Sequence, residues 1–354
     1  MSYRCSQSSK NRERIETRRP EEKIRTKLSV RHKQILGKML KVVERNQSLL
    51  LVFYSASELS EFLRRIGFNV DVTQITSGKL LGSIKIASSC NLSFLSIDTN
   101  QGLQFHGEYN PKLTTIAMET CANREFSMIQ GENLPQKCIA GYGTNKGSVF
   151  YSVSPGSSMS FILAPSILFQ GMMHQISGDR ILNTIHNSNV LRVNDADFLY
   201  LTSQCKLQLD QKKNIQQRAD IAQDYMMKIH DIMLSNTSKP ISSNPAKKSL
   251  VLEFVKLALS NQLEHPITIH DLSKNLFTSK TNLSSQIKKA IGLSPMAFIK
   301  CVRLEQVRRE LLQSKGHAVI GEVASQHGFT SRGHFARDYL NLFGERPTET
   351  LSHF

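Results

Sequence analysis

The sequence holds six cysteines among 354 residues, Cys5, Cys90, Cys121, Cys138, Cys205 and Cys301, and no two of them make a C-x-x-C pair. Without a paired framework the readings left are reduced, mostly buried thiols or a redox-sensing thiol. No apolar run approaches the ~20 residues that span a bilayer, and the N-terminus is charged where a signal peptide would be apolar. A soluble, cytoplasmic protein with no membrane partner is expected. Enzyme signatures are missing as well. Gly141-Tyr142-Gly143-Thr144-Asn145-Lys146-Gly147 has the glycines of a phosphate loop but lacks G-K-[ST] and a following helix, so it reads as a hairpin turn. His106-Gly107-Glu108 lacks the H-x-H and distant His of a β-barrel metal site and reads as a surface turn, and there is no G-x-S-x-G elbow. Catalytic residues, a metal and a cofactor are therefore not expected.

Acidic residues are few: 29 Asp and Glu face 45 Lys and Arg, a net charge of +16. The imbalance is uneven. Residues 1–45 carry fourteen basic against five acidic residues, and residues 247–354 carry fifteen against nine, which leaves the middle close to neutral. A basic C-terminal region suits a polyanion, with a neutral sensing or scaffolding part before it; a solvated charged face is the plainer alternative.

Spacing decides between these. From Thr268 to Gly292, Ile269, Leu272 and Leu276 share one helical face, Thr278-Ser279 interrupts, and Leu283, Ile287 and Ala290 form a second face. The pattern returns from Ala318 to Gly344, with Ile320, Val323 and Ala324 before His327-Gly328-Phe329, and Phe335, Tyr339, Leu342 and Phe343 after Ser331. His327 reads as a turn or core residue. Two helix-turn-helix units thus stand in tandem. Between them Ser294 suits an N-cap and Pro295 the first helical position of a helix to Leu312, with Phe298, Val302, Glu305 and Arg309 on one mixed face. At about 1.5 Å per residue such a rod spans roughly 27 Å. It can hold two recognition helices near one DNA turn apart, in successive major grooves of double-stranded DNA.

Several stretches here resemble one family: Thr278-Ser279-Lys280-Thr281-Asn282-Leu283, Gly292-Leu293-Ser294-Pro295, Arg303-Leu304, Gly328-Phe329 through His334-Phe335, and Phe343-Gly344-Glu345-Arg346-Pro347. Their order over about the last hundred residues is similar to the AraC/XylS transcription regulators. The run Gly333-His334-Phe335-Ala336 with Asp338-Tyr339, Leu342 to Glu345 and Pro347 to Leu351 looks most like the ethanolamine-utilisation regulator branch. The resemblance implies a transcription regulator, commonly an activator, that meets RNA polymerase and forms a homodimer through helices beside its effector domain. Those helices have the alternative of simply covering the sheet.

Outward positions on the first recognition helix are Lys280, Thr281, Ser284, Ser285 and Lys288; carrying the family's base-reading positions over selects Thr281, Ser284 and Ser285. These short hydroxyls reach few base edges, so this helix is expected to bind mainly by Lys280, Lys288 and Lys289 to phosphates. The second helix exposes Arg332, Gly333, His334 and Arg337, of which Arg332 and Arg337 suit bidentate reading of guanine, or phosphate contact only. Gly333 either lets the backbone approach DNA or is tolerated without a role.

Four regions are expected. Residues 1–47 form a basic, disordered tail that adds non-specific DNA affinity, unless translation begins at Met39. Residues 48–234 form a β-rich effector or dimerisation domain with a helical C-terminal part, 235–247 a Ser/Asn/Pro-rich linker, and 248–354 the DNA-binding domain. The expected class is α+β. Ser55 or Ser57 caps a first helix; Val70–Ile75, Leu80–Ile86, Leu92–Ile97, Leu103–His106, Leu113–Met118, Ile139–Tyr142, Val149–Val153 and Met159–Leu163 then read as strands of a small barrel or roll. The resemblance implies that this roll is cupin-like. A small-molecule effector is expected there, with Phe68, Phe94, Phe105, Tyr142 and Phe150 lining a cavity or forming core. After Pro165, Ile167, Leu168, Met172 and Met173 suit one helix, Ile181, Leu182 and Ile185 another; Asn194–Asp197 caps Phe198–Leu209, and Ala219 to Ile229 marks a long helix. A non-specific architectural DNA binder is the alternative to a specific regulator.

Overall fold

Alternating apolar side chains between Leu49 and Pro165 reach a buried face only in extended backbone, and most of the regular structure described there is strand. The computed structural model describes residues 49–89, 91–143, 148–177, 181–182, 185–186, 188–210, 215–235, 245–259 and 267–352. The expected tail with its Met39 alternative, and residues 236–244 of the expected linker, lie outside these.

Among the described residues twelve strands form: β1 (Leu49–Phe53), β2 (Val70–Gln74), β3 (Gly82–Ser89), β4 (Leu92–Thr99), β5 (Leu103–Glu108), β6 (Leu113–Thr120), β7 (Met128–Ile129), β8 (Glu132–Asn133), β9 (Cys138–Ala140), β10 (Ser148–Val153), β11 (Ser158–Pro165) and β12 (Val190–Arg192). One sheet has the order β1-β3-β4-β11-β6-β9-β12 and the other β2-β5-β10-β7-β8. β3 and β4 pair in register from Gly82 opposite Thr99 to Ser89 opposite Leu92. All eight expected strands are present. β1, β12 and the two-residue β7 and β8 add to them.

The first helix, α1 (Ala56–Arg65), starts at Ser55, whose side chain accepts from the Glu58 amide. Its Leu59, Phe62 and Leu63 join Val72, Ile84, Leu95, Leu103 and Phe105 in a core between the sheets. The other face of the larger sheet is covered by α2 (Ser166–Ser177), α3 (Asp195–Gln208) and α4 (Ile215–Ser235). There Phe94, Ile116, Ile162, Met173, Leu201, Tyr225 and Ile229 make a second core. Asn194 caps α3 as expected. The helix expected over Ile167 to Met173 is α2, which buries Phe169 and Met173 and leaves Ile167 86% exposed. No helix among the described residues is long and apolar enough to cross a membrane.

Two sequence expectations change. His106 lies within β5 opposite Asp71 of β2 and is buried, so it is no surface turn. Gly141–Gly147 joins β9 of one sheet to β10 of the other and so is not a hairpin, although 144–147 lie outside the described residues. Of the two alternatives for the five aromatic residues, the structure shows core. Phe94 and Tyr142 belong to the helix-side core, Phe105 and Phe68 to the inter-sheet core, and Phe150 packs toward the C-terminal helices.

The C-terminal part is helical: α5 (Pro245–Leu259), α6 (Ile269–Asn275), α7 (Lys280–Ile291), α8 (Pro295–Gln313), α9 (Ile320–Gln326), α10 (Arg332–Phe343) and α11 (Pro347–Leu351).

Candidate nucleic-acid interface

Each unit is built from its caps inward. Thr268 opens α6 with a capping box in which its hydroxyl accepts from the Asp271 amide while the Asp271 carboxylate accepts from the Thr268 amide at 2.9 Å. Ser279 caps α7 by accepting from the Asn282 amide. Leu283, Ile287, Ala290 and Ile291 of α7 are then buried with Leu272, Phe254 and Phe298. The opposite face carries Lys280, Thr281, Ser285, Lys288 and Lys289, all exposed, and Ser284 half-buried.

The second unit repeats the plan with larger side chains. Ser331 caps α10, and Phe335, Tyr339, Leu342 and Phe343 are buried. Phe329, Phe335, Tyr339 and Phe343 stack in sequence with ring centroids 5.1, 5.6 and 4.7 Å apart. Burial pushes the Tyr339 phenol upward, and its hydroxyl donates to Thr350 at 2.8 Å. Thr350 donates in turn to Glu345, which also binds Arg308 at 2.8 Å. Arg332, Gly333, His334 and Arg337 are exposed together on the other face of α10. The Arg332 guanidinium lies over Gly321 of α9, where an added Cβ would sit 3.5 Å from Nε; around Gly333 nothing lies within 4 Å of such a Cβ. His327 ends α9 and pairs with Glu310 at 2.9 Å. Among the described residues Lys280, Lys288, Lys289, Arg332 and Arg337 make no ion pair within the chain.

The two faces are held by α8, which starts with Ser294 as N-cap and Pro295 in the first turn. Its Phe298, Ile299 and Val302 belong to the core of the first unit, and Cys301, Leu304, Val307 and Leu311 to that of the second. Nineteen residues give a rod of roughly 28 Å. The cysteine is no reagent here: burial pushes the Cys301 thiol up to about 12, as it does Cys138 and Cys205.

A second role of α8 was not readable in advance. The mixed face turns toward the β-rich part. Buried Glu305 accepts from the Gln74 amide at 3.1 Å, and Arg309 pairs with Asp71 at 3.2 Å. Gln74 Nε2 donates to the Leu342 carbonyl at 2.8 Å, and the Gly78 amide to the same carbonyl at 3.0 Å. Both recognition helices end in left-handed glycines, Gly292 and Gly344, and each glycine is covered from the β-rich part, by the Phe126 ring and by Lys79 respectively. The β-rich part therefore grips the C-terminal ends of α7 and α10. Their N-terminal ends, where Lys280 and Arg332 stand, stay open.

Comparison with known proteins agrees with this geometry. A family model described as a helix-turn-helix domain matches residues 272–353. The XylDLEGF operon transcriptional activator 2 of Pseudomonas putida is 31% identical over 127 residues, which cover 34% of this chain and 81% of that protein. The chain belongs to the AraC/XylS family. Its helix-turn-helix part is that of a sequence-specific DNA-binding transcription regulator. A probable thc operon regulatory protein of Rhodococcus erythropolis is 29% identical over 94 residues, 26% of this chain and 28% of that protein. A solved structure, a probable AraC family transcriptional regulator from Rhodopseudomonas palustris, is 34% identical and covers 30% of this AraC/XylS chain and 95% of its own, with a TM-score of 0.26. The chain spans 28% of the thc regulator and 38% of another XylDLEGF operon activator.

Proposed function

We propose that this AraC/XylS protein is an effector-responsive activator that lays α7 and α10 into two adjacent major grooves of double-stranded DNA and meets RNA polymerase from the bound site. The observation that carries the reading is the pair of open cationic faces on two helices fixed to one rod, α8. In this reading Arg332 and Arg337 read bases, Gly333 and His334 bring the α10 backbone and an imidazole to the groove, and Thr281, Ser284 and Ser285 make short base-edge contacts. Lys280 and Lys288 hold phosphates.

The division into an effector domain to residue 234, a linker over 235–247 and a DNA-binding domain from 248 belongs to the same proposal. So does a cupin-like description of the two sheets, a homodimer and a cytoplasmic place of action. The placement beside the ethanolamine-utilisation regulators rests on the residues from Gly333 to Leu351 alone, and with it ethanolamine or a cobalamin as effector. Support for effector coupling comes from the contacts of Gln74, Asp71 and Phe126 with α8 and the ends of the recognition helices.

The test is selection from a pool of random duplexes by the full chain at two salt concentrations. An asymmetric motif with two blocks about 10 base pairs apart is expected. Binding without a motif, with affinity collapsing as salt rises, would instead make the protein an architectural DNA binder.

A further inference from the structure

Between α6 and α7 the chain places Phe277 with 98% of its surface exposed and at φ 49°. Both features are unfavourable. A large aromatic side chain gains nothing by standing in water, and the left-handed region is strained for a bulky residue.

The second unit shows that the fold does not need either. Its turn has the same hydrogen bonds: the Phe277 and Thr278 amides donate to Lys274 and Ser273, as the Gly328 and Phe329 amides donate to Ser325 and Ala324. At the left-handed position the second unit has Gly328, with φ 82°. Its aromatic residue comes one place later, where Phe329 packs on Phe335. In the first unit that place holds Thr278, which accepts from Asn282 at 2.8 Å. The order glycine-aromatic has become aromatic-threonine, and the ring that could be buried points outward instead.

The surroundings fix what it meets. Phe277 comes three residues before α7 at its open, N-terminal end, the end that lies deepest among base edges in helix-turn-helix docking. From Lys274 to Ile291 the chain has four lysines and no acid, which suits phosphate walls. The reading positions of α7 are short hydroxyls, so this unit lacks a long side chain for base discrimination. The apolar feature of a major groove is the thymine 5-methyl group, which an aromatic ring recognises by contact.

We infer that Phe277 is a specificity-determining residue of the first unit, touching a thymine methyl group at the end of the DNA block that α7 reads. This rests on the sequence-specific reading above. Phe277→Gly keeps the backbone geometry of Gly328 and removes only the ring; Phe277→Asn, which tolerates the left-handed region, serves as the second variant.

The experiment selects random duplexes with full-length wild type and both variants, then replaces each thymine of the wild-type motif by uracil. Wild type is expected to lose roughly fivefold in affinity at one thymine-to-uracil exchange in the first block. The variants should show a motif degraded at that position only, no response to that exchange, unchanged affinity for random DNA, and a melting temperature no lower than wild type. A wild-type motif that Phe277→Gly retains at full affinity overturns the contact alone. Motif and affinity retained with transcription lost also overturns it, by assigning Phe277 to a protein partner. A wild-type pool without any motif overturns the sequence-specific reading itself, and this contact with it.

Discussion

His106 shows what a single side chain can contribute to pH dependence. It faces Asp71 across the β2–β5 pair, its Nδ1 has no hydrogen-bond partner among the described residues, and its pKa falls from 6.5 to about 4. Burial is the main cause; Asp71 opposes it, while Arg309 and Arg64 reinforce it. A folded-state value below the unfolded one means that the unfolded chain takes up the proton first. Stability is therefore full above about pH 6.5 and falls as pH drops toward 4, by on the order of 3 kcal/mol. His106→Gln is expected to flatten that part of a pH series of denaturant melts; an unchanged slope would assign it to other groups. Across α7 and α10, the residues separate by chemistry. Arg332→Ala or Arg337→Ala should relax base preference by about 1–3 kcal/mol, whereas Lys288→Ala should weaken all sequences alike. Equal losses on selected and random DNA for all three would remove the base-reading role. Gly333→Ala has open space around it, so a loss of DNA affinity with the fold intact would mark close approach of the backbone.

At the scale of elements, the helical half was legible because its signals are local. Thr268, Ser279, Ser294 and Ser331 each cap the helix that the pattern places after them, and the buried positions of α7 and α10 are those of the 3.6-residue period. Strands with clear alternation were equally visible. β1 and β12 were not, since Leu49–Phe53 is an unbroken apolar run and Val190–Arg192 is too short to show a period. α2 was visible as a helix, but not which side of it docks on β11 and β6, where Phe169 is buried and Ile167 and Leu168 are exposed. Helix ends also make a sharp prediction through two glycines. Gly344 ends α10 at φ 64°, with Lys79 N 2.9 Å from where a Cβ would be, whereas Gly171 lies within α2 with no atom within 4 Å of one. Gly344→Ala should lower stability by about 1–3 kcal/mol, and Gly171→Ala should raise it by roughly 0.5–1 kcal/mol, in thermal melts. Changes of the same sign in both would contradict the cap geometry.

For the whole molecule, the contacts that matter most were the ones no local pattern could reveal. Gln74 reads as an ordinary strand residue, yet its side-chain amide meets the Leu342 carbonyl 268 positions away, and its backbone amide meets Glu305. Glu305 is buried, and that burial raises its carboxyl above the ordinary value against the pull of Arg308. A buried acid that takes a backbone hydrogen bond from another part of the chain tolerates little displacement, because an unmet partner there costs about 1–3 kcal/mol. With Phe126 on Gly292 and Lys79 on Gly344, the β-rich part touches both recognition helices at their far ends and the rod between them. That arrangement resists a change in the distance between the two reading faces. DNA sensitivity to block spacing measures it directly. Wild type is expected to lose more than tenfold in affinity when one base pair is inserted between the two blocks of its selected site, since the insertion rotates one groove relative to the other. Gln74→Ala should lose part of that discrimination while binding an isolated block as wild type does. If the variant discriminates spacing as strongly as wild type, α8 alone sets the separation, and an effector bound in the β-rich part would have to act on DNA binding by another route.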